Sequence, residues 1–290
     1  MMTQKITCRL CGCADSTFLF LKNKFPLYKC NNCSFIFSSF PNISLVDDLY
    51  SADYYMNDIT GGYGDYILER RAIEQTSRGR LSNIKSYIDY SCKLLDIGSA
   101  FGYFLNQAKS FYQVSGVEPS LFAAKYAQNK FGLNIINGTI HETPFKKSSF
   151  GIVTMWDVLE HLFNPLQVLN KVNNILRPKG LLVLSTPDVS SIAARIQGNN
   201  WRLFDPPYHL NYFSPHTIKV LLCDAGFKVI KREYTFEWHT VKYFFHVLAI
   251  NNNNAFFKRM NNLFRRNILR DWFFPATLFD IMTIYAVKES

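Results

Sequence analysis

Long apolar runs are missing from this sequence. No stretch approaches the ~18–20 consecutive apolar residues that a bilayer-spanning helix needs. A secretory leader is missing too, because Met-Met-Thr-Gln-Lys-Ile-Thr-Cys at residues 1–8 has neither an apolar core nor a small-residue cleavage site. The expected compartment is the cytoplasm. Acidic residues are in short supply: 22 Asp and Glu stand against 32 Lys and Arg, a formal charge of +10. That excess suits a polyanionic partner such as nucleic acid, anionic lipid or a phosphorylated glycan, and it equally suits a basic solvated surface. A Gly-x-Gly-x-x-Gly dinucleotide fingerprint is also lacking. In a reducing compartment the 7 cysteines do not imply a disulfide framework and point instead to metal binding or free thiols.

What is present is enough for one large domain and a small module: 290 residues, of which 48% are hydrophobic. The small module comes first. Cys8-x-x-Cys11 and Cys30-x-x-Cys33 each have the spacing of a tight knuckle that aims two thiolates at one tetrahedral ion. Phe18–Leu21, Tyr28–Cys30 and Ser34–Phe37 read as the strands around the knuckles. The expectation is a zinc ribbon over residues 1–40, with Cys8, Cys11, Cys30 and Cys33 closing the shell of a structural Zn2+. Cys13 is a fifth candidate with poorer spacing, and Cys92 and Cys223 read as thiols without a role.

Residues 41–90 read as a connector and lid helix. Tyr50, Tyr54, Tyr55, Tyr63 and Tyr66 crowd this stretch, Gly61-Gly62 marks a loop, and a helical pattern runs from Tyr66 to Asp89.

The large domain is organised around Lys93-Leu-Leu-Asp-Ile-Gly-Ser-Ala-Phe-Gly-Tyr-Phe104. A short apolar strand ends in Asp96, a turn through Gly98 follows, and a helix opens at Gly102. Glycine lets the backbone turn sharply and approach a ligand closely. Gln113-Val-Ser-Gly-Val-Glu118-Pro-Ser120 reads as a second strand, ending in an acid placed to accept hydrogen bonds from ribose hydroxyls. Strands over 134–138, 150–155 and 181–185 alternate with helices, so the sheet is expected to be mostly parallel. Asp157 and His161 share a face if a helix opens after the fourth strand.

Two long excursions follow. Residues 186–215, including Trp201-Arg-Leu-Phe-Asp205-Pro-Pro-Tyr-His209, read as an exposed loop above the carboxyl edge of the sheet. Residues 236–275 combine Trp238, Tyr243, Phe244, Phe256 and Trp272 with Lys258, Arg259, Arg265, Arg266 and Arg270. They read as a basic aromatic helical pair that either lies on an anionic membrane surface or packs on the core. The expected division is 1–40, 41–90, a core at 91–235, and 236–290 for the insertion and final strand.

Leu95-Asp-Ile-Gly98, Gly116-Val-Glu-Pro-Ser120, Phe150-Gly-Ile-Val-Thr-Met-Trp-Asp-Val-Leu-Glu-His161 and Leu176-Arg-Pro-Lys-Gly180, in that order, resemble class I S-adenosylmethionine-dependent methyltransferases over about residues 80–235. Two departures are Ala100, where the family often has glycine, and Gly151, where it usually has aspartate. The resemblance implies an α/β fold with a Rossmann-like, seven-stranded, mostly parallel sheet whose last strand is antiparallel between its neighbours. It also implies S-adenosyl-L-methionine as cofactor. Asp96, Gly98, Ser99 and Gly102 would serve its methionine end, Glu118 and Pro119 its ribose, Thr139 its adenine side, and Trp156, Tyr55 and Arg80 its cover. For an oxygen acceptor, His209, His161 and Asp157 are candidate proton acceptors.

With its ribbon and its His-Leu-x-Tyr-Phe-Ser loop, the chain is similar to bacterial methyltransferases linked to surface polysaccharide, so a sugar, glycan or other small molecule is the expected acceptor. RNA is the second choice. The ribbon and the charge suit it, but the Asn-Pro-Pro-Tyr of amino-methylases is absent after the fourth strand. A non-catalytic ribbon protein with a degenerate sheet is the third.

Overall fold

The structure, a computed structural model, describes residues 6–39, 66–67, 69–245, 256, 259–260, 263 and 272–289. In chain order, the strands β1 (Ser16–Lys22), β2 (Phe25–Cys30) and β3 (Ile36–Ser38) form an antiparallel ribbon. Helix α1 (Arg70–Lys85) leads into an alternating series: β4 (Lys93–Ile97), α2 (Tyr103–Ala108), β5 (Gln113–Glu118), α3 (Leu121–Phe131), β6 (Ile135–Asn137), β7 (Phe150–Trp156), α4 (Pro165–Ile175) and β8 (Leu176–Pro187). Then come α5 (Ile192–Gln197), β9 (Asn211–Tyr212), α6 (Pro215–Asp224), β10 (Phe227–Glu233), β11 (Glu237–Thr240), β12 (Phe273–Ala276) and β13 (Ile281–Lys288). No helix among the described residues is long and apolar enough to cross a membrane.

Helix starts follow local chemistry. The Ser120 side chain accepts from the Ala123 amide and starts α3, and Asn164 with Pro165 does the same for α4. Ser214 and Thr217 form a capping box at α6.

The large sheet has seven strands in the order β10-β13-β8-β7-β4-β5-β6. β13 runs antiparallel to both neighbours, while β8, β7, β4, β5 and β6 pair in parallel. The central strands read as unbroken apolar runs because both of their faces are covered. Leu95, Val153, Leu182 and Leu184 pack into one layer with Leu169 of α4 and Leu221 of α6. Leu94, Ile152, Leu181 and Val183 face the other layer, with Leu81 of α1 and Leu105 of α2.

Two expectations need correcting here. The 186–215 excursion is not an exposed loop. Trp201, Leu210 and Phe213 are each 0% exposed, and β9 within it pairs with β3, so the ribbon sheet takes its fourth strand from this segment. Its aromatic residues have a core of their own to fill, with Leu27 of the ribbon. The second correction concerns only the two ends of 236–275, which are strands; the described residues between them, 241–245, 256, 259–260 and 263, are helical, as expected. β11 pairs antiparallel with β12, from Glu237 opposite Ala276 to Thr240 opposite Phe273. A helical turn follows at 241–245, and most of the middle lies outside the described residues.

One buried polar knot locks the excursion to the sheet. Asp280, 2% exposed, accepts from Trp201 Nε1 at 3.1 Å and from Arg202 Nη2 at 3.1 Å. Asp280→Ala is expected to cost about 2–4 kcal/mol, because a buried indole N–H and a guanidinium lose their acceptor. Urea denaturation reads this directly. An unchanged midpoint would mean that water replaces the carboxylate without penalty.

Candidate functional site

A cleft of about 1840 Å³ opens at the carboxyl ends of β4, β5 and β7. The chain order reverses there, with β5 on one side of β4 and β7 on the other, and an open parallel sheet leaves its crevice at such a point. Asp96, Gly98, Ser99, Glu118, Pro119, Thr139, Trp156, Asp157, His161, His209 and Arg80, predicted from different parts of the sequence, all line this cleft. Gly102 does not. It has φ +73°, and a Cβ there would meet Leu133 Cδ1 at 2.6 Å, so it lets α2 start tight against α3. Gly98 has φ +71°, and its missing Cβ leaves room for Val158 Cγ2, 2.5 Å from where that atom would be. Its smallness therefore serves the turn and the packing behind it. Ala100, at the departure from the family pattern, has φ +45°, a left-handed conformation that explains why glycine is common there. Tyr55 lies outside the described residues.

The two acids at the strand ends are held differently. Glu118 is 1% exposed. Its carboxylate accepts from the Ala100 amide at 2.8 Å and the Ser120 amide at 2.9 Å, so both oxygens are fixed at the strand end. Asp96 accepts from Thr154 Oγ1 at 2.7 Å. Burial pushes the Asp96 carboxyl up to about 7, against the pull of the Thr154 hydrogen bond and the Arg80 charge. Ser99 Oγ and Trp156 Nε1 are buried with no hydrogen-bond partner. Such orphan donors on a cleft wall are an unfilled demand for a polar ligand.

Helix α1 covers this end. Its Arg80 guanidinium lies 4.3 Å from the centre of the Trp156 ring. It reaches Glu237 Oε1 at 2.6 Å and Asp157 Oδ2 at 3.6 Å. The helix is further tied to β11, since the Trp238 amide donates to Thr76 Oγ1 at 2.8 Å and the Thr240 hydroxyl donates to Glu69. The insertion thus holds the covering helix in place.

The far end of the cleft is built on the segment after β7. No α-helix opens there, which corrects the expectation for Asp157 and His161. Asp157 has φ +54°, its amide and carboxylate both engage Ser185 Oγ, and only a single 3-10 turn, Leu159–His161, follows. His161 Nδ1 lies 2.9 Å from the Tyr208 carbonyl and His209 Nδ1 2.8 Å from the Leu203 carbonyl. The two rings meet edge to face, with centroids 4.8 Å apart. Burial keeps both imidazoles neutral: it lowers His161, and together with His161 it drives His209 down to about 3. Glu160, which sequence reasoning passed over though it lies inside the Asp157–His161 run, is 1% exposed and accepts from Thr186 Oγ1 at 2.9 Å. Thr154, Glu237 and Arg202 were missed as well. Their partners are far away in sequence, and no local signal marks them.

Among the described residues, the charge of the cleft lining is opposite to that of the chain. Asp96, Glu118 and Glu142 line the near end; Glu69, Asp157, Glu160, Asp205, Glu237 and Asp280 line the rest; the basic lining residues are Lys22, Arg80 and Arg202. Burial raises the pKa of Glu160 and Asp96 and so removes part of that charge, but the balance stays acidic.

The ribbon cysteines form a separate cluster. Sγ of Cys8 and Cys33 lie 3.6 Å apart and Sγ of Cys11 and Cys30 3.5 Å apart, and one ligand atom from each of the four lies within 4.8 Å of the others. The Gly12 amide donates to the Cys8 carbonyl and the Ser34 amide to the Cys30 carbonyl, both at 2.9 Å, which closes a knuckle at each pair. Tetrahedral zinc with Zn–S bonds of ~2.3 Å sets its sulfurs ~3.8 Å apart, so the set fits that ion.

A family profile described as a methyltransferase domain matches residues 66–232. The chain is 29% identical over 134 residues to an uncharacterized protein of Methanocaldococcus jannaschii, covering 46% of this chain and 57% of that one. It is 29% identical over 97 residues to a probable S-adenosylmethionine-dependent methyltransferase of Mycolicibacterium smegmatis, covering 33% and 36%. The chain thus spans about half the length, or less, of these curated relatives. Among solved structures it resembles the magnesium protoporphyrin IX methyltransferase of Synechocystis with bound SAH, with a TM-score of 0.55, 14% identity, and coverage of 86% of this chain and 100% of that one.

Proposed function

Because this chain belongs to the methyltransferase-domain family, we propose that it transfers the sulfonium methyl of S-adenosylmethionine to an oxygen of a sugar, a glycan or another small molecule. The observation that carries this reading is the pair of buried carboxylates, Asp96 and Glu118, at adjacent strand ends. They flank a cleft that also presents the orphan Ser99 hydroxyl and Trp156 indole N–H. Asp96 and the Gly98 turn would take the methionine end of the cofactor and Glu118 the ribose. Thr139 would lie toward the adenine, and Arg80 and Trp156 would close over it. When bound, the cofactor supplies an activated methyl and its own leaving group, and the protein's share is position and exclusion of water. At the far end Asp157 is the group placed to take up the acceptor's proton, because burial lowers the basicity of His161 and His209. An acidic cleft attracts a cationic sulfonium and repels a polyanion, so its lining supports a neutral acceptor over RNA.

The four thiolates would hold a structural zinc, whose chemistry is confined to stapling the ribbon. A peripheral contact of the insertion with an anionic membrane would use exposed Trp272 and Phe256, in a segment whose sequence carries Lys258, Arg259, Arg265, Arg266 and Arg270; packing on the core is the other reading.

A tritium-methyl transfer assay on fractionated cell extract tests the reading. Label is expected in sugar or glycan fractions. Label in RNA overturns the acceptor, and no binding of the cofactor by calorimetry overturns the enzyme.

Cofactor affinity is also expected to depend on pH. The Asp96 carboxyl titrates at about 7 in the free protein, whereas the cationic amino group of the ligand needs it ionised. Binding below that value therefore releases a proton, and Kd falls as pH rises from about 5 to 7, by at most about tenfold per unit. Calorimetry in two buffers of different ionisation enthalpy measures the proton. A flat profile with no proton release removes Asp96 from the amino-group contact.

A further inference from the structure

We propose that the open end of the β11–β12 pair seats on the surface of an anionic bilayer, and that the acceptor is the polar head of a lipid in that surface. The second half rests on the methyl-transfer reading above. Glu237 pairs with Ala276 at this end, so Phe236, just before β11, comes beside Leu278 and Phe279, just after β12. These three are 59, 54 and 54% exposed. The Phe236 and Phe279 rings meet edge to face, with centroids 6.2 Å apart. Large apolar side chains gathered in water mark a contact surface.

The patch is held in place. Phe279 has φ +52°, a left-handed conformation that is costly for a bulky residue and persists only where its surroundings fix it. Its amide donates to Thr277 Oγ1 at 3.0 Å. The next residue, Asp280, is buried against Trp201 and Arg202, and its carbonyl accepts from the Asp188 amide at 2.8 Å. A strained turn anchored in this way presents Leu278 and Phe279 to the outside.

Charge decides what they meet. Arg232 Cζ lies 5.6 Å from the centre of the Tyr234 ring, and Tyr234 packs on Phe279 with centroids 6.3 Å apart, so a cation borders the patch. Between the two strands, the sequence from Val241 to Arg270 holds six Lys and Arg and no Asp or Glu. Aromatic side chains beside unopposed cations fit an anionic bilayer, where rings enter the headgroup layer and cations meet lipid phosphate. Leu278 also lines the cleft, with Phe244 and Ala276, so the apolar surface continues from the patch into the site. A neutral, hydroxyl-bearing headgroup suits the acidic lining there, while its chains stay in the bilayer.

Flotation of the full chain with lipid vesicles tests the surface without any turnover. The chain should float with phosphatidylcholine vesicles that contain phosphatidylglycerol and stay behind with phosphatidylcholine alone. Phe236→Ser combined with Phe279→Asn should lower vesicle affinity at least ~tenfold, because two rings leave the interface. The double variant should keep the calorimetric titration with S-adenosylmethionine, since neither ring lines the cleft. Asparagine tolerates the left-handed turn, and the melting curve checks the fold. A wild-type chain that fails to float with the anionic vesicles, or a double variant that floats undiminished, overturns the docking surface. So does a wild-type dimer in sedimentation velocity that the double variant abolishes, because a second copy then covers the patch. In the tritium-methyl assay on intact membranes, label should enter the chloroform-soluble fraction. Label confined to water-soluble sugars overturns the lipid acceptor. Flotation by a chain that does not bind S-adenosylmethionine leaves the surface standing and removes the methyl-transfer reading.

Discussion

Replacing Glu118 by alanine is expected to weaken S-adenosylmethionine binding by roughly 10²- to 10⁴-fold, the loss of two hydrogen bonds to a charged acceptor at ~1.5–3 kcal/mol each. The carboxylate is held rigid by the Ala100 and Ser120 amides at 2.8 and 2.9 Å, so it meets the ribose without a reorganisation cost. The same amides make the substitution a structural one as well, because alanine leaves two N–H groups beside a buried strand end. Glu118→Gln separates the two effects. Its amide keeps one oxygen as an acceptor and turns the other position into a donor, so it should lose less affinity than alanine does. Calorimetry on folded protein, with the melting curve as a control, measures both variants. A folded Glu118→Ala chain with undiminished affinity would show that the ribose is held elsewhere, and the cofactor assignment would lose its second anchor.

The parts of this fold that could be read in advance are those whose cause is local. An acid closing an apolar strand, a glycine at positive φ and a helix start immediately after it lie within Leu95–Gly102, and the two knuckles lie within four residues each. The strand alternation from β4 to β8 was visible because buried parallel strands leave apolar runs that nothing else in the chain imitates. What could not be read depends on partners distant in sequence. Nothing around Asn211 announces that it will pair with Phe37. Without that pairing, Trp201 and His209 look like exposed loop residues. The aromatic density of 236–275 suggested helices, because aromatic residues with basic neighbours fit an amphipathic surface. Trp238 and Phe274 instead take strand positions, where aromatic side chains pack well across a hairpin. Thr154 and Glu160 carry no signature at all, and their roles emerge only from what the fold sets beside them.

Metal removal from the ribbon should disturb more than the ribbon. Cys8, Cys30, Phe35 and Phe37 share one continuous apolar cluster with Leu95 and Met155 of the large sheet, and β3 holds β9 at Ile36 opposite Tyr212. The Tyr212 hydroxyl in turn donates to the His209 carbonyl at 2.8 Å. Taking one thiolate away by Cys30→Ser, or extracting the ion with a chelator, leaves the remaining sulfurs crowded together with no cation to hold them. A loss of at least about 3 kcal/mol follows if the ribbon opens, equivalent to a fall of roughly 6–12 °C in the melting midpoint for a chain of this size. Hydrogen exchange gives the more discriminating readout. Protection should fall in β1–β3 and, through β9, at residues 209–213, while β4 and β5 keep theirs. Cofactor affinity should therefore survive, since Asp96 and Glu118 stand on strands paired within the large sheet, and acceptor turnover should not. A chelated chain that keeps both its melting midpoint and the protection at 209–213 would show that the ribbon holds itself together without an ion. The four thiols would then be neighbours by packing alone, and the wall they support would owe nothing to metal.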